Sequence, residues 1–157
     1  MRLEAIRRRA FWVVSHLSMG LYRRIPIFGT LRASVGIIRA GERYLVINRS
    51  DGRGFSFPGG LAWPWESEEQ TLRREVAEET GLHVMSLDLV FRYHTSIPVP
   101  CKLAVFRAEA EGHLGCSWEG RPEWATLPEL RANITVSQNP IVDQLAGWAR
   151  PPNGSVS

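Results

Sequence analysis

The feature that most constrains this chain is a helix near its middle with clear start and stop signals. Ser67 and Gln70 form an S-x-x-Q capping box, whose two side chains satisfy backbone N–H groups that a helix start leaves free. Glu68 and Glu69 follow in the first turn, where the positive end of the helix dipole favours carboxylates. Gly81 supplies the left-handed residue that ends many helices. The sequence therefore predicts a helix of about thirteen residues between these signals.

Three carboxylates crowd the C-terminal end of this helix. At about 100° per residue, Glu75, Glu78 and Glu79 share an arc of about 100° beside Leu72 and Val76, which mark the buried face. Glu75 and Glu79 are like charges four residues apart, and acids at a helix C-terminus oppose the negative end of its dipole. Each effect costs from a few tenths to about 1 kcal/mol. We call these three residues the acid cluster; its position beside the core requires a source of positive charge.

Two sources of positive charge fit the acid cluster. The first is a solvated face on which Arg73 and Arg74 neutralise the acids, with Arg74 four residues before Glu78. One arginine does not neutralise three carboxylates, however. The second is a hard divalent cation, because magnesium accepts carboxylate and carbonyl oxygens and keeps positions open for phosphate. The crowding of the acid cluster therefore predicts a magnesium site.

The segments around the helix have the alternation and turn residues of β-strands. A final helix is expected to start near Ser137 to Pro140 and to place Ile141, Leu145 and Trp148 on one face. The stretch 111–130 is expected to be mostly loop with one short strand. The predicted strands are residues 33–38, 43–48, 87–94, 102–110 and Glu123–Thr126. Strands around a central helix, with another helix at the end, indicate an α/β (α+β) fold with a mixed sheet between helices.

Residues 1–28 form a basic extension to the main domain. Apolar residues at helical spacing predict an amphipathic helix from about Leu3 to Arg23. Residues 1–32 carry seven arginines against Glu4, a charge of +6, so the net charge of +3 leaves −3 for the remainder. The helix either packs on its own domain or a second copy, giving a homodimer, or makes peripheral contact with an anionic membrane. We assign residues 29–150 to the main domain and 151–157 to a disordered tail.

Composition narrows the classes of function. Because the basic charge is confined to the N-terminal segment, no nucleic-acid polymer is expected as a partner. Cys101 and Cys116 lack the spacing of a zinc or redox site and the density of a disulfide scaffold, which indicates a reducing, cytoplasmic location. No stretch reaches the ~20 apolar residues of a transmembrane segment, and the apolar run at 10–22 has no clear signal-peptide cleavage site. The only lysine, Lys102, excludes a P-loop phosphate site.

From Gly60 to Leu82 the chain follows the pattern G-x5-E-x7-R-E-U-x-E-E-x-G-U, in which U is aliphatic. It resembles the Nudix box at every defined position. The resemblance implies a Nudix-type α/β/α sandwich, preceded here by the extra N-terminal helix. It also implies an enzyme that uses magnesium or manganese to hydrolyse a nucleoside diphosphate linked to a group X. The implied metal ligands are the carbonyl of Gly60 and the side chains of Glu75, Glu78 and Glu79.

The same resemblance assigns supporting roles near the acid cluster. Arg74 would orient the acids, and Glu66 would brace the preceding loop against the helix. The residues from Ser34 to Trp148 are also similar, more weakly, to MutT-like nucleoside triphosphate pyrophosphatases, which carry a further carboxylate before a tryptophan. Glu119 matches that carboxylate, with Glu123 as the alternative. The proton acceptor for the attacking water is Glu78, Glu79 or Glu119, because coupled acids resist assignment to one site.

The weaker resemblance implies a small nucleotide substrate, a triphosphate such as an oxidised purine nucleotide, cleaved to the monophosphate and pyrophosphate. The alternatives are ADP-ribose, a nucleotide sugar or a dinucleotide, or a module that binds nucleotides without turnover. Arg49 is a candidate for the outer phosphates, and Trp65 for base stacking; Trp65 replaces the glycine usual in the family. Gln138 and Asn139 lie where the pattern places a base-reading amide, although Asn139 also suits a helix cap.

Overall fold

The computed structural model describes residues 30–97, 99–117 and 119–148 of the 157-residue chain. The predicted N-terminal helix and the predicted tail lie outside these residues. In the described part of the chain, no helix is long and apolar enough to cross a membrane.

Within the described residues, seven strands form one mixed sheet. Strand β1 pairs in parallel with β6 and antiparallel with β2 and β4. The other pairs, β2 with β3 and β7, and β5 with β6, are antiparallel. The strand bounds are β1 Leu31–Ala40, β2 Arg43–Arg49, β3 Phe55–Ser56, β4 Gly59–Leu61, β5 Leu82–Thr95, β6 Cys101–Gly112 and β7 Gly120–Thr126. The predicted strands are therefore confirmed, and β7 is longer than expected because it pairs along the whole of β2.

Three α-helices accompany this sheet in the described residues. Helix α1 spans Glu68–Thr80, α2 spans Leu127–Asn133 and α3 spans Asn139–Trp148, with a 3₁₀ turn at Val136–Gln138. Both halves of the capping box predicted for α1 are present, and Gly81 ends the helix with φ of 77°. The expectation that 111–130 is mostly loop is wrong for α2. The overlooked signal is a second capping box at the start of α2, between Thr126 and Glu129.

Helices cover both faces of the sheet. On one face, Leu72 and Val76 of α1 pack with Leu45 and Phe106, and all four are at most 2% exposed. The second face belongs to another buried cluster, in which α2 and α3 supply the helical side chains Leu130, Ile141, Val142 and Leu145. The structure thus confirms a mixed sheet between helices, because each amphipathic helix buries its apolar stripe against the sheet.

Candidate active site

Strand β4 brings two glycines against the acidic half of α1. The N–H of Gly59 donates to Glu79 Oε2 at 2.8 Å. Gly59 has φ of 146°, and a Cβ there would lie 2.1 Å from the carbonyl oxygen of Ser34 in β1. A Cβ on Gly60 would lie 2.5 Å from Glu75 Oε1. Only glycine permits both the backbone conformation and the close approach of the loop to the acids.

Arg74 ties the acid cluster to the loop before α1. Its Nε donates to Glu66 Oε1 at 2.7 Å and its Nη1 to Glu75 Oε1 at 2.8 Å. Nη1 also reaches Glu78 Oε2 at 3.2 Å. Nη2 donates to the carbonyl of Leu61 and to Glu66 Oε2, each at 3.0 Å. These contacts use the planar fork of the guanidinium, whose donors match carboxylate geometry.

Glu66 is held from three sides, which fits the bracing role that the resemblance implies. Besides Arg74, it accepts hydrogen bonds from the N–H of Trp63 at 2.9 Å and from Thr71 Oγ1 at 3.1 Å. The hydrogen bonds from Arg74, followed by those from Trp63 and Thr71, lower the pKa of Glu66 to about 2. Its carboxylate therefore fixes the loop after β4 to the body of α1.

Glu79 is the most buried member of the acid cluster, with 5% of its surface exposed. Burial raises the pKa of Glu79 to about 9, and the nearby carboxylates of Glu119 and Glu75 add to the rise. The hydrogen bond from Gly59 acts in the opposite direction. Burial likewise raises the pKa of Glu75, although Arg74 opposes it. The site is thus short of positive charge at its most buried acid.

Glu119 reaches the acid cluster from the loop between β6 and β7. Both the N–H and the hydroxyl of Ser50 donate to the carbonyl of Glu119 at 3.0 Å, which fixes the loop to the end of β2. The side chain of Glu119 lies close enough to Glu79 to contribute to the raised pKa of Glu79. Glu123 lies instead within β7, opposite Val46, and its Oε1 is buried with no hydrogen-bond partner among the described residues. The structure therefore brings Glu119, rather than Glu123, to the cluster.

Arg49 lies at the end of β2 on the same side as Glu119. Its strand partner is Gly120, the residue after Glu119. A two-point ion pair joins it to Asp51, with Nε to Oδ1 at 3.1 Å and Nη2 to Oδ2 at 2.7 Å. The hydrogen bonds that Arg49 donates to Asp51, and then the charges of Asp51, Glu119 and Glu79, raise the pKa of Arg49 despite burial. Sequence reasoning missed Asp51, although its place two residues after Arg49 in a glycine-bearing turn offered a signal.

The two candidate amides differ in position. Gln138 is 9% exposed, and its Oε1 accepts the N–H of Phe57 at 2.8 Å. Asn139 is exposed and already has helical dihedral angles, φ −51° and ψ −41°. It is therefore the first residue of α3, and its interpretation as an N-cap is wrong, because an N-cap lies outside the helical region.

Trp65 belongs to an exposed aromatic pair beside Glu66. The rings of Trp63 and Trp65 stack with centroids 5.6 Å apart and planes 6° apart. They are 53% and 77% exposed. Arg32 Nη2 fixes the loop by donating to the carbonyls of Trp63, Pro64 and Glu66 at 3.5, 3.3 and 3.1 Å. Two exposed tryptophans on an anchored loop form a surface suited to a planar ligand.

The acids do not form a ready-made cation cage. Within the described ranges, no group of three or more His, Cys, Asp or Glu residues is arranged to hold a metal ion. The hydrogen bonds of these acids go to protein donors instead, from Arg74 to Glu75 and Glu78 and from Gly59 to Glu79. The donor set nevertheless suits a hard cation, because buried carboxylates without compensating charge are costly.

The loop after β4, helix α1 and Gly81 after it thus join acids, an arginine and paired glycines on a mixed sheet. The family model described as "NUDIX domain" matches residues 30–145. The chain belongs to the Nudix family.

Curated relatives match over part of their length. The chain is 44% identical to YtkD of Bacillus subtilis over 57 residues, which cover 36% of this chain and 35% of YtkD. It is 35% identical to the 8-oxo-dGTP diphosphatase of Haemophilus influenzae over 74 residues, which cover 43% of this chain and 54% of that protein. The chain therefore spans about a third to a half of the length of these two relatives.

Solved structures share the fold over a longer span. The E. coli ORF135 protein superposes with a TM-score of 0.68 at 22% identity, covering 82% of this chain and 98% of that one. The MutT protein of Bacillus halodurans gives a TM-score of 0.63 at 23% identity, with coverage of 73% and 81%. These similarities extend the agreement to the fold of the described domain.

Proposed function

We propose that this member of the Nudix family is a hydrolase that requires a divalent cation and cleaves the pyrophosphate linkage of a nucleoside triphosphate, giving the monophosphate and pyrophosphate. The observation that carries this proposal is the buried Glu79, placed against Glu119 and Glu75 with a raised pKa. A binding module without turnover has no need to bury a carboxylate beside other acids. Such an arrangement costs stability unless cations and phosphates complete it.

The cation would be held by four groups on β4 and α1. They are the carbonyl of Gly60 and the carboxylates of Glu75, Glu78 and Glu79. Magnesium or manganese would supply Lewis-acid polarisation of the phosphate and a bound water of lowered pKa. Arg74 keeps the acids in place through its bonds to Glu75 and Glu78, and it acts by orientation rather than by attack.

The proton of the attacking water needs a carboxylate that is not fully committed to the cation. The carboxylate of Glu119 lies close enough to Glu79 to raise the pKa of Glu79, so both acids face the same part of the site. Glu119 also arrives on a loop of its own, whereas Glu78 is bound by Arg74. We therefore place proton acceptance with the Glu79 and Glu119 pair and retain Glu78 as the remaining candidate.

The proposed substrate is an oxidised purine nucleoside triphosphate. The relative named 8-oxo-dGTP diphosphatase supports this choice. Gln138 supports it structurally, since its bond to Phe57 orients the amide and leaves Nε2 to donate to a base carbonyl. Arg49 would bind an outer phosphate, and Asn139, exposed at the start of α3, would contact the base rim.

A second candidate substrate is a dinucleotide, favoured by the stacked pair Trp63 and Trp65. Base stacking on an aromatic side chain contributes about 1–3 kcal/mol per base. Trp65 would then hold the second base of a two-ended substrate. ADP-ribose and nucleotide sugars lack that second base, so the exposed pair gives them no corresponding advantage.

The decisive experiment measures phosphate and pyrophosphate release with magnesium over a panel of triphosphates, dinucleotides and nucleotide sugars. Glu79→Gln keeps the shape of the side chain and removes its charge. We expect it to lose at least about a hundredfold in kcat, as removal of a charge-stabilising group commonly does. Glu69→Gln, in the first turn of the same helix, is the matched control and should match wild type. Equal turnover by wild type and Glu79→Gln would contradict the assignment.

A further inference from the structure

The turn after β2 fixes the side chain of Arg49 through the carboxylate of Asp51. The two-point pair with Asp51 fixes the Nε and Nη2 edge of the guanidinium, and the Asp51 side chain is only 15% exposed. Asp51 is fixed in turn, because Oδ1 accepts the N–H of Arg53 at 3.1 Å. Nε of Arg53 lies 3.6 Å from Oδ2. The turn thus fixes the carboxylate, and the carboxylate fixes the guanidinium.

This guanidinium lies beside acids that have a different task. Arg49 pairs across the sheet with Gly120, directly after Glu119, and Ser50 binds the carbonyl of Glu119 through two donors. The charges of Glu119 and Glu79 also act on Arg49. An arginine free to turn would form charge-assisted hydrogen bonds with the buried Glu79 and the partly buried Glu119. It would then compete with a cation for them.

We propose that Asp51 is a positioning residue that holds Arg49 beside the acids without letting it occupy them. The pair with Asp51 uses Nε and Nη2, so Nη1 is not part of it and can reach a substrate phosphate. Asp51 therefore keeps the cation site open and presents a phosphate ligand at its rim. This inference rests on the proposed cation-dependent hydrolysis and assigns a role to a residue outside the Nudix box.

The test measures cation binding without nucleotide, by titrating the full chain with Mn²⁺ and following the free ion by electron paramagnetic resonance. Asp51→Asn keeps the side-chain shape and removes the charge that holds Arg49. We expect it to weaken Mn²⁺ binding about tenfold, the scale of one hydrogen bond to a charged group. Glu42→Gln, which breaks the exposed pair between Arg39 and Glu42, is the matched control and should leave Mn²⁺ affinity unchanged.

A double-mutant cycle separates positioning from a simple effect of charge. Loss of the Asp51 charge alone would weaken cation binding whether or not Arg49 is present. If Asp51 acts through Arg49, the variant Arg49→Ala/Asp51→Asn should bind Mn²⁺ as Arg49→Ala does. Persistence of the Asp51→Asn effect in the Arg49→Ala background would overturn the proposal.

Arg49→Lys keeps the test valid if Asp51→Asn folds poorly, because it leaves Asp51 and its bond to Arg53 intact. Lysine is a point charge that a carboxylate does not hold at two points, so Mn²⁺ binding should weaken as in Asp51→Asn. Unchanged Mn²⁺ affinity in Arg49→Lys would overturn the proposal. Its failure is distinguishable from failure of the proposed function, in which wild type would neither bind Mn²⁺ nor hydrolyse any nucleotide of the panel.

Discussion

Arg74 and Arg49 border the same acids but use their charge differently. Arg74 donates to Glu66, Glu75, Glu78 and the carbonyl of Leu61, so all of these contacts lie within β4, the loop after it and the helix that carries the acids. Arg49 binds an acid outside the cluster. One arginine therefore maintains the arrangement of the carboxylates, whereas the other remains available to a ligand.

The largest expected effect comes from Arg74→Lys. Lysine keeps the positive charge but lacks the planar fork that joins the loop to the acids, so the acids should shift. We expect kcat to fall about a hundredfold, the scale of an ångström-sized misplacement, and the thermal unfolding midpoint to fall as well. Arg73→Lys is the control, since the neighbouring Arg73 donates to the carbonyl of Val84 instead. If Arg74→Lys changed KM alone and left kcat intact, the contrast between the two arginines would be lost.

Arg49→Ala should act mainly on substrate binding. Loss of one charge-assisted phosphate contact is expected to raise KM about tenfold while kcat changes less than about threefold. Steady-state kinetics on the best triphosphate of the panel would measure the two constants separately. The contrast with Arg74 would be lost if kcat fell as far as in Arg74→Lys.

The pH dependence of stability should reveal the uncompensated acid. The pKa of Glu79 rises from 4.5 in the unfolded chain to about 9 in the fold, so the native state binds its proton more tightly. The contribution of Glu79 to the stability of the cation-free protein is then fully present below about pH 4.5 and is lost as pH rises towards 9. We expect the unfolding midpoint of the cation-free protein to fall by several degrees over that range.

Two experiments test whether Glu79 causes this pH dependence of the unfolding midpoint. Glu79→Gln should flatten the pH profile, and excess magnesium should restore the wild-type midpoint at high pH by binding the ionised acids. The contribution of Glu66 to stability depends on pH in the opposite direction. Because its pKa is lowered in the fold, this contribution disappears as pH falls from 4.5 to about 2. A wild-type midpoint that stays level between pH 5 and 9 without a cation would contradict the account of Glu79.

Trp65→Ala should give the smallest and most selective change. If the aromatic pair stacks on a second base, dinucleotide turnover should lose about tenfold in kcat/KM while triphosphate turnover stays within about twofold. Trp65→Phe keeps an aromatic face and should retain most of the dinucleotide rate. Equal losses for both substrates would assign Trp65 to folding of the loop instead.

Local rules were sufficient for α1 and its acids. The bounds of α1 depend on the capping box at Ser67 and on Gly81, and the arc of acids depends on helical geometry alone. Helix α2 had an equally local signal, the Thr126 to Glu129 box, which the proline- and glycine-bearing surroundings obscured. Interactions within about four residues along the chain could therefore be predicted from the sequence.

Contacts that depend on strand register could not be predicted from the sequence in the same way. Glu119 and Glu123 are both acids near Trp124, and only the pairing of β7 with β2 decides which of them lies at the end of the strand near Arg49. The bond from Phe57 to Gln138 likewise joins residues far apart in sequence. Such outcomes depend on how the whole sheet assembles, and no local propensity encodes them.

The hydrogen bond from Gly59 to Glu79 gives the molecule a reporter of its own. The amide proton of Gly59 faces the carboxylate whose ionisation state matters most, so its nuclear magnetic resonance frequency will shift when that oxygen gains a proton or coordinates an ion. A single backbone signal can thus follow the occupancy of the centre in solution. That readout requires no label on the acids and no turnover.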